Sequence, residues 1–145
     1  MRAALGPHRR IALDTSVFIY ELDANPRYVN LARGVFEWIL QPGHGAVAST
    51  ITMTEVLVGP CKAGDEPRAD AVFGLLSQYT HLEWIAPSLE IVEAAARFRG
   101  RYGLHTVDAL HVATAIHSNA TCLIGNDATF RRVTEIENIL LDEYL

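Results

Sequence analysis

Short apolar runs alternate with segments of helical spacing along this chain, and that alternation constrains its fold more than any other feature. The first run, at 10–13, stops at Asp14-Thr15-Ser16, residue types that favour a helix N-terminus. Further short apolar runs follow at 46–49, 82–85, 121–124 and 139–141. Because parallel strands require a helical connection between them, the pattern predicts an α/β fold. We expect three layers, α/β/α, around a mostly parallel sheet of four to five strands.

Between these runs the apolar residues recur every three or four positions, which is typical of helices packed on a sheet. This spacing predicts helices at 28–40, 50–58, 68–79, 89–102 and 107–117. Glycine and proline often end a helix, so Gly59-Pro60 is expected to end the helix at 50–58. Ser88 and Gly103 are predicted to begin and end the fourth.

Length and composition limit the class of protein. A chain of 145 residues has the usual size of one domain, so a single domain over residues 1–145 is expected. Half of the residues are hydrophobic and a fifth are charged, which excludes a disordered segment. The sequence has neither a run of ~18 apolar residues nor a signal-peptide pattern at its start. It has two cysteines, too few for a disulfide framework, and we therefore expect a cytoplasmic protein without a membrane segment.

The net charge of −5 at first disfavours a nucleic-acid partner. Four of the acids, however, fall at positions where they could share one site. Setting them aside leaves 13 acids from 17, against 12 lysines and arginines, which is close to neutral. The composition is therefore compatible with an RNA substrate and does not by itself indicate one.

The four acids are Asp14, Glu55, Asp108 and Asp127. Asp14 follows the first predicted strand directly, and Asp127 follows the fourth. Glu55 lies early in the helix after the second strand, and Asp108 lies at the start of the helix at 107–117. In parallel sheets, ligands bind beyond the carboxyl ends of the strands. All four side chains are expected at that edge.

Each acid alone also has a purely structural interpretation, as a helix cap, a turn residue or a solvated carboxylate. Together they favour a shared site, because carboxylates in close contact repel one another unless a cation lies between them. Oxygen ligands without nearby cysteine or histidine favour Mg²⁺ or Mn²⁺ over zinc. Such ions activate water and stabilise charge on a phosphoryl oxygen. The site is therefore expected to hydrolyse phosphodiester bonds.

At these positions the sequence resembles the PIN-domain nucleases, and most closely the VapC-type toxins of prokaryotic toxin–antitoxin pairs. The resemblance extends from Ile11 to Leu141. Its motifs are Leu13-Asp14-Thr15-Ser16-Val17, Ser49 through Thr54-Glu55-Val56, Val107-Asp108-Ala109-Leu110-His111-Val112-Ala113, and Gly125-Asn126-Asp127 with Phe130 after it. Each motif is short, and their specificity lies in the ordered set.

This resemblance implies a Mg²⁺- or Mn²⁺-dependent endoribonuclease. Asp14 and Asp108 would be the principal metal ligands, and Glu55 and Asp127 would complete the site. Thr15 and Ser16 could hydrogen-bond Asp14 and fix its orientation. The family further implies an RNA substrate, a homodimer, and a cognate antitoxin that holds the enzyme inactive.

Two other classes of α/β protein with acids after a strand need residues that this chain lacks. A phosphoacceptor receiver domain needs an acid pair after the first strand and a late lysine, whereas the one lysine here is Lys62. A DxDxT phosphatase needs an acid where Ser16 stands. Two alternatives stay open. One is a nuclease of the same fold outside toxin–antitoxin systems, acting in RNA processing or on structured DNA, and the other is a non-catalytic binding module.

Three histidines, His105, His111 and His117, lie six residues apart around one predicted helix. Metal-binding pairs on a helix are usually three or four residues apart, on one face. We therefore interpret these histidines as solvent-exposed or core residues without a catalytic role.

Overall fold

The fold is a five-stranded sheet with helices on both faces, seen in a computed structural model that describes residues 1–145. The strands are β1 (Arg10–Leu13), β2 (Gly45–Ser49), β3 (Leu82–Ile85), β4 (Cys122–Gly125) and β5 (Glu137–Leu140). The helices are α1 (Arg2–Leu5), α2 (Thr15–Leu22), α3 (Val29–Ile39), α4 (Thr50–Lys62), α5 (Glu66–Ser77), α6 (Leu89–Tyr102) and α7 (Thr106–His117). Short 3₁₀ helices follow at Ala128–Arg132 and Leu141–Tyr144.

All four strand pairs are parallel, in the order β3-β2-β1-β4-β5. The chain moves outward from β1 through β2 to β3 and then returns to the other side of β1 to form β4. The strand order therefore reverses between β1 and β4. In open α/β sheets, a crevice forms at this point beyond the carboxyl ends of the strands.

Alternate residues of each strand pack into different hydrophobic layers, as the two-residue period of a strand requires. In β1, Ile11 and Leu13 face the layer formed with α2, α3, α4 and α5. Ala12 faces the layer formed with α6 and α7, together with Val47 of β2 and Leu123 of β4. The three inner strands, β1, β2 and β4, are buried on both faces, which explains why they are largely apolar runs.

These features confirm the predicted α/β class, the three layers and the five predicted strand positions. Helix α6 also begins and ends as predicted. The Ser88 hydroxyl accepts from the Ile91 backbone N–H at 3.2 Å, and Gly103 closes the helix with φ +66°.

The predicted end of α4 at Gly59-Pro60 is wrong, because this helix continues to Lys62. A proline ring clashes with the Cβ of the residue before it, and Gly59 has no Cβ. Beyond the proline, the Gly64 N–H bonds the Cys61 carbonyl at 3.1 Å and the Asp65 N–H bonds the Pro60 carbonyl at 2.9 Å. With Gly64 at φ +65°, these two bonds form the glycine-dependent helix end known as a Schellman motif.

None of the helices combines the length and the apolarity that crossing a membrane requires.

Candidate active site

Asp14 lies at the reversal point of the sheet, where β1 passes into α2. Its backbone N–H bonds the Ile124 carbonyl of β4 at 2.8 Å. Its carboxylate caps α2 and accepts from Ser16 through the backbone N–H at 3.3 Å and the hydroxyl at 2.8 Å. Both bonds use Oδ2, and only 8% of the residue is exposed. Asp14 is therefore held rigidly, with Oδ1 left for other contacts.

Gly125 at the end of β4 allows this position for Asp14. A Cβ on Gly125 would lie 3.0 Å from the Asp14 Cβ, 3.2 Å from Asp14 Oδ2 and 3.1 Å from the Phe130 ring. Contacts this short between carbon atoms are repulsive. The glycine lets β4 approach β1 closely enough to place the residues after both strands beside one another.

Glu55 extends from α4 towards α2 and α7. Its Oε1 accepts from the Thr15 hydroxyl at 2.5 Å and lies 3.4 Å from His111 Nε2. Hydrogen bonding from His111, followed by that from Thr15, lowers the pKa of Glu55, although partial burial opposes the change. Glu55 is therefore ionised at neutral pH, and Oε2 has no hydrogen-bond donor from the protein.

Asp108 and Asp127 approach the crevice from its other side. Asp108 lies in the first turn of α7, and Asp127 caps the following 3₁₀ helix by accepting from the Thr129 N–H at 2.8 Å. Burial and then the negative charges of Asp127 and Asp14 raise the pKa of Asp108. These three acids therefore repel one another, and a cation bound among them would relieve that repulsion.

One cavity of about 480 Å³ contains all four predicted acids. It is lined by Asp14, Thr15, Ser16, Ile19, Tyr20, Glu55, Asp108, Asn126, Asp127 and Ala128. The structure thus brings together the side chains that the sequence placed at the carboxyl edge of the sheet.

The donor set fits a hard divalent cation, since its charged atoms are carboxylate oxygens. No three histidine, cysteine, aspartate or glutamate side chains are close enough together to hold an ion as a preformed cage. Mg²⁺ does not need such a cage, because it keeps several waters and binds through one or two carboxylates. The cavity therefore suits an ion held by few protein ligands, with the remaining acids acting through its waters.

Two sequence interpretations need correction here. Thr15 does not bond Asp14, because its hydroxyl is directed to Glu55, and Ser16 alone supports Asp14. His111 is buried as expected of a core residue, yet its Nε2 lies among the carboxylates and Thr15. The useful signal was its separation from Asp108, since residues three apart share one helix face.

Tyr20 is a further cavity residue that the sequence did not single out, and Asn126 was named there only as part of the Gly125-Asn126-Asp127 motif. The Asn126 amide donates to the Tyr20 hydroxyl at 3.1 Å. Its carbonyl oxygen accepts from the Asp142 backbone N–H at 2.8 Å. Asn126 therefore ties the loop that carries Asp127 to α2 and to the C-terminal 3₁₀ helix.

A family model described as the PIN domain matches residues 11–136. The chain belongs to the PIN domain family. The match includes all four acids and strands β1 to β4, apart from the first residue of β1, and it ends just before β5. Among curated proteins, none matches the sequence.

Solved structures of PIN proteins share this fold at low sequence identity. A toxin–antitoxin complex from Klebsiella pneumoniae is 24% identical with a TM-score of 0.67, covering 90% of this chain and 97% of its own. VapBC-1 from nontypeable Haemophilus influenzae is 21% identical with a TM-score of 0.71, covering 92% and 98%. VapC20 from Mycobacterium tuberculosis, a sarcin–ricin loop cleaving toxin, is 17% identical with a TM-score of 0.67, covering 88% and 98%.

Proposed function

We propose that this PIN domain, taken as a single unit over residues 1–145, is a Mg²⁺- or Mn²⁺-dependent endoribonuclease and the toxin of a toxin–antitoxin pair. The observation that carries the proposal is the convergence of Asp14, Glu55, Asp108 and Asp127 on one cavity at the reversal point of the sheet. A non-catalytic scaffold has no need to gather mutually repelling carboxylates. Similarity of fold to an RNA-cleaving toxin and to toxin–antitoxin complexes supports the choice of RNA and of a toxin.

In this proposal Asp14 and Asp108 hold the divalent ion, and Glu55 and Asp127 complete the site. When bound, the ion supplies charge stabilisation at the phosphoryl oxygens and a more acidic water. The Ser16 hydroxyl fixes Asp14, and the Thr15 hydroxyl fixes one oxygen of Glu55.

The second oxygen of Glu55 is available to orient the attacking water. The water oxygen forms the new bond to phosphorus as its proton passes to the Glu55 carboxylate. The bond to the leaving ribose oxygen breaks, and that oxygen keeps the electron pair and takes a proton from solvent water. Because Glu55 is ionised at neutral pH it is free to accept this proton, and its lowered pKa makes it a weak base. Asp127, exposed at the rim of the cavity, is placed to contact the ion through water.

Metal binding is the first step to test, because a selective nuclease can ignore an arbitrary RNA. The protein is stripped with EDTA, and thermal unfolding is followed with and without Mn²⁺ for the wild type and Asp108→Asn. Ligand at ~100 times its Kd adds about 2.7 kcal/mol, which corresponds to roughly 5–10 °C for a chain of this size. We expect the shift in the wild type only.

Cleavage is then tested on a mixed cellular RNA pool with Mn²⁺, alongside Asp14→Asn and Asp108→Asn. Both variants are expected to fold and to lose cleavage. Full activity in both would refute the assignment of the site. A wild type that neither responds to Mn²⁺ nor cleaves RNA would instead favour a non-catalytic binding module. Cleavage confined to structured DNA would favour a nuclease of the same fold outside toxin–antitoxin systems.

We also infer where the cognate antitoxin binds. An apolar groove of about 250 Å³ lies between α2, α4 and α5, and its lining includes Ile19, Val58 and Val72. Ile19 and Glu55 line both this groove and the acidic cavity. A partner peptide with apolar side chains and one basic residue matches this surface, since its basic group can reach Glu55 and block the site.

The Val58→Glu substitution tests whether the antitoxin binds in this apolar groove. Val58 is 50% exposed, so the variant is expected to fold and to cleave RNA, yet to bind the co-expressed antitoxin more weakly. Leu40→Glu is the matched control, because Leu40 is 49% exposed and lies just before β2, at the end of the sheet where the strands begin. Equal antitoxin affinity in both variants would place the partner elsewhere.

A further inference from the structure

His111 lies behind the candidate site, in contact with two of its acids but outside the lining of its cavity. It is 3% exposed and lies one turn after Asp108 on α7. Its Nε2 is 3.5 Å from Asp14 Oδ1, 3.4 Å from Glu55 Oε1 and 3.3 Å from Thr15 Oγ1. One buried nitrogen therefore contacts two carboxylates from different elements, that of Asp14, which caps α2, and that of Glu55 in α4.

These contacts determine where the imidazole carries its proton. Ionised carboxylates only accept hydrogen bonds, so the nitrogen between Asp14 and Glu55 must be a donor. The Thr15 hydroxyl hydrogen is already directed to Glu55. Nδ1 is buried and has no hydrogen-bond partner, which is compatible with a nitrogen that bears no hydrogen. His111 therefore carries a hydrogen on Nε2.

We propose that His111 is a positioning residue whose Nε2, hydrogen-bonded to Glu55 Oε1 and 3.5 Å from Asp14 Oδ1, holds these two carboxylates side by side at the cavity and thereby sets the spacing of the metal-binding oxygens. This inference rests on the proposed function. Without the donor, the two negative charges would repel each other across a half-buried space, and Glu55 would retain only the Thr15 bond. Outer partners of this kind orient the ligands that contact the metal.

A packing role makes a different prediction from a positioning role. If His111 only fills space in the core, an apolar side chain of similar volume replaces it without effect on the metal. If its N–H is what matters, a polar side chain that carries a donor at the same place is required. The two roles are therefore separated by comparing leucine, glutamine and asparagine at this position.

The test uses EDTA-stripped protein reloaded with Mn²⁺, with the Kd for Mn²⁺ read from the electron paramagnetic resonance signal of the free ion. His111→Leu is expected to weaken binding by roughly 10–100-fold, the usual effect of losing an outer partner. His111→Gln, whose amide nitrogen reaches the Nε2 position, is expected to restore more than half of that loss on a logarithmic scale. His111→Asn, whose amide reaches only the Nδ1 position, should not.

His117→Gln is the matched control. His117 lies on the same helix, is half exposed, and is 3.8 Å from Glu90 rather than near the cavity. Its Kd for Mn²⁺ is expected to equal that of the wild type. Circular dichroism and thermal unfolding of the metal-free proteins establish that each variant is folded. If His111→Leu does not fold, the comparison of glutamine with asparagine carries the test.

A double-mutant cycle shows whether His111 acts through Glu55. His111→Leu is measured again in a Glu55→Gln background, where its effect on the Kd for Mn²⁺ should shrink several-fold. An equal loss in both backgrounds, or a leucine variant that binds Mn²⁺ like the wild type, overturns the inference and leaves the proposed function intact. Absence of Mn²⁺ binding by the wild type overturns both.

Discussion

The position of Asp14 depends on a residue more than a hundred positions away in sequence, Gly125. The two meet where β1 and β4 end, and the Cβ of any other residue at 125 would lie 3.0 Å from the Asp14 Cβ. This contact involves carbon atoms next to the backbone, so rotation of a side chain cannot relieve it. Glycine at position 125 therefore allows β4 and Asp14 to approach this closely without displacing either.

Gly125→Ala is expected to destabilise the protein and to displace Asp14. Overpacking of this kind typically costs about 1–3 kcal/mol, measured as the free energy of unfolding in urea. Mn²⁺ binding should weaken as well, because the displaced carboxylate is a proposed ligand.

Gly74→Ala is the control for this prediction. Gly74 lies inside α5 with no atom near its missing Cβ, so alanine there should stabilise the protein by about 0.5–1 kcal/mol. If alanine at position 125 were tolerated as well as at position 74, the close approach of the two strands would not be what places Asp14.

The two cysteines should differ sharply in reactivity. Cys61 is exposed and Cys122 is buried in β4; burial, with a smaller effect from the Glu137 charge, raises the pKa of Cys122 to about 12. The thiolate is the reactive form, so a disulfide reagent at pH 8 should label one thiol per folded chain and two in denaturant. Rapid labelling of both in the folded protein would contradict this burial.

The raised pKa of Cys122 also fixes the direction of a pH effect. The folded protein retains the Cys122 proton up to about pH 12, whereas the unfolded chain releases it near the ordinary thiol value. Between these values the folded state binds more protons, so its free energy of unfolding falls as pH rises. Cys122→Ala removes this contribution.

At the residue scale, the place of each acid was predictable. Asp14 and Asp127 follow strands, Asp108 lies in the first turn of α7, and Glu55 lies in the second turn of α4. The hydrogen-bond partner of Thr15 was not predictable, because whether its hydroxyl bonds Asp14 or Glu55 depends on how closely α4 approaches α2. The position of His111 was only partly predictable. Its spacing from Asp108 fixes the helix face, while the distance to Glu55 depends on the packing of α7 against the sheet.

At the scale of elements, the sequence predicted strands better than helix ends. Each inner strand is a short apolar run buried on both faces, so its pattern has few alternatives. The end of α4 depends on a competition between Pro60 and the hydrogen bonds beyond it. Gly59 relieves the clash with the proline ring, and Gly64 then supplies the left-handed conformation that ends the helix.

Gly64→Ala tests this account of α4. A left-handed backbone costs an L-residue roughly 1–2 kcal/mol, so the free energy of unfolding should fall by about that amount. Gly100→Ala inside α6 is the control, since that glycine has open space around its missing Cβ and alanine there should stabilise the helix. An unchanged stability of Gly64→Ala would show that Pro60, and not the bonds after it, limits the helix.

At the scale of the whole molecule, charge is distributed unevenly along α6. The first half of this helix carries Glu90 and Glu93, and the second half carries Arg97, Arg99 and Arg101. Two copies of α6 that cross antiparallel about a twofold axis would place acids opposite arginines in both halves. The same helix exposes 87% of Leu89 and 40% of Val92, which gives such a pair an apolar contact.

We therefore expect the homodimer to form through α6, with a mass near 32 kDa, twice the 16.0 kDa of the chain. Leu89→Glu places a charge in the apolar contact and adds to the negative charge of the acidic half of α6, so light scattering after size exclusion should detect a monomer.

The opposed charges of the two α6 helices also predict that salt weakens the wild-type dimer, because screening acts on exposed pairs. Leu40→Glu, at an exposed apolar site before β2, should leave the dimer intact. A wild type that is monomeric at low salt, or a Leu89→Glu variant that remains dimeric, would exclude α6 as the interface.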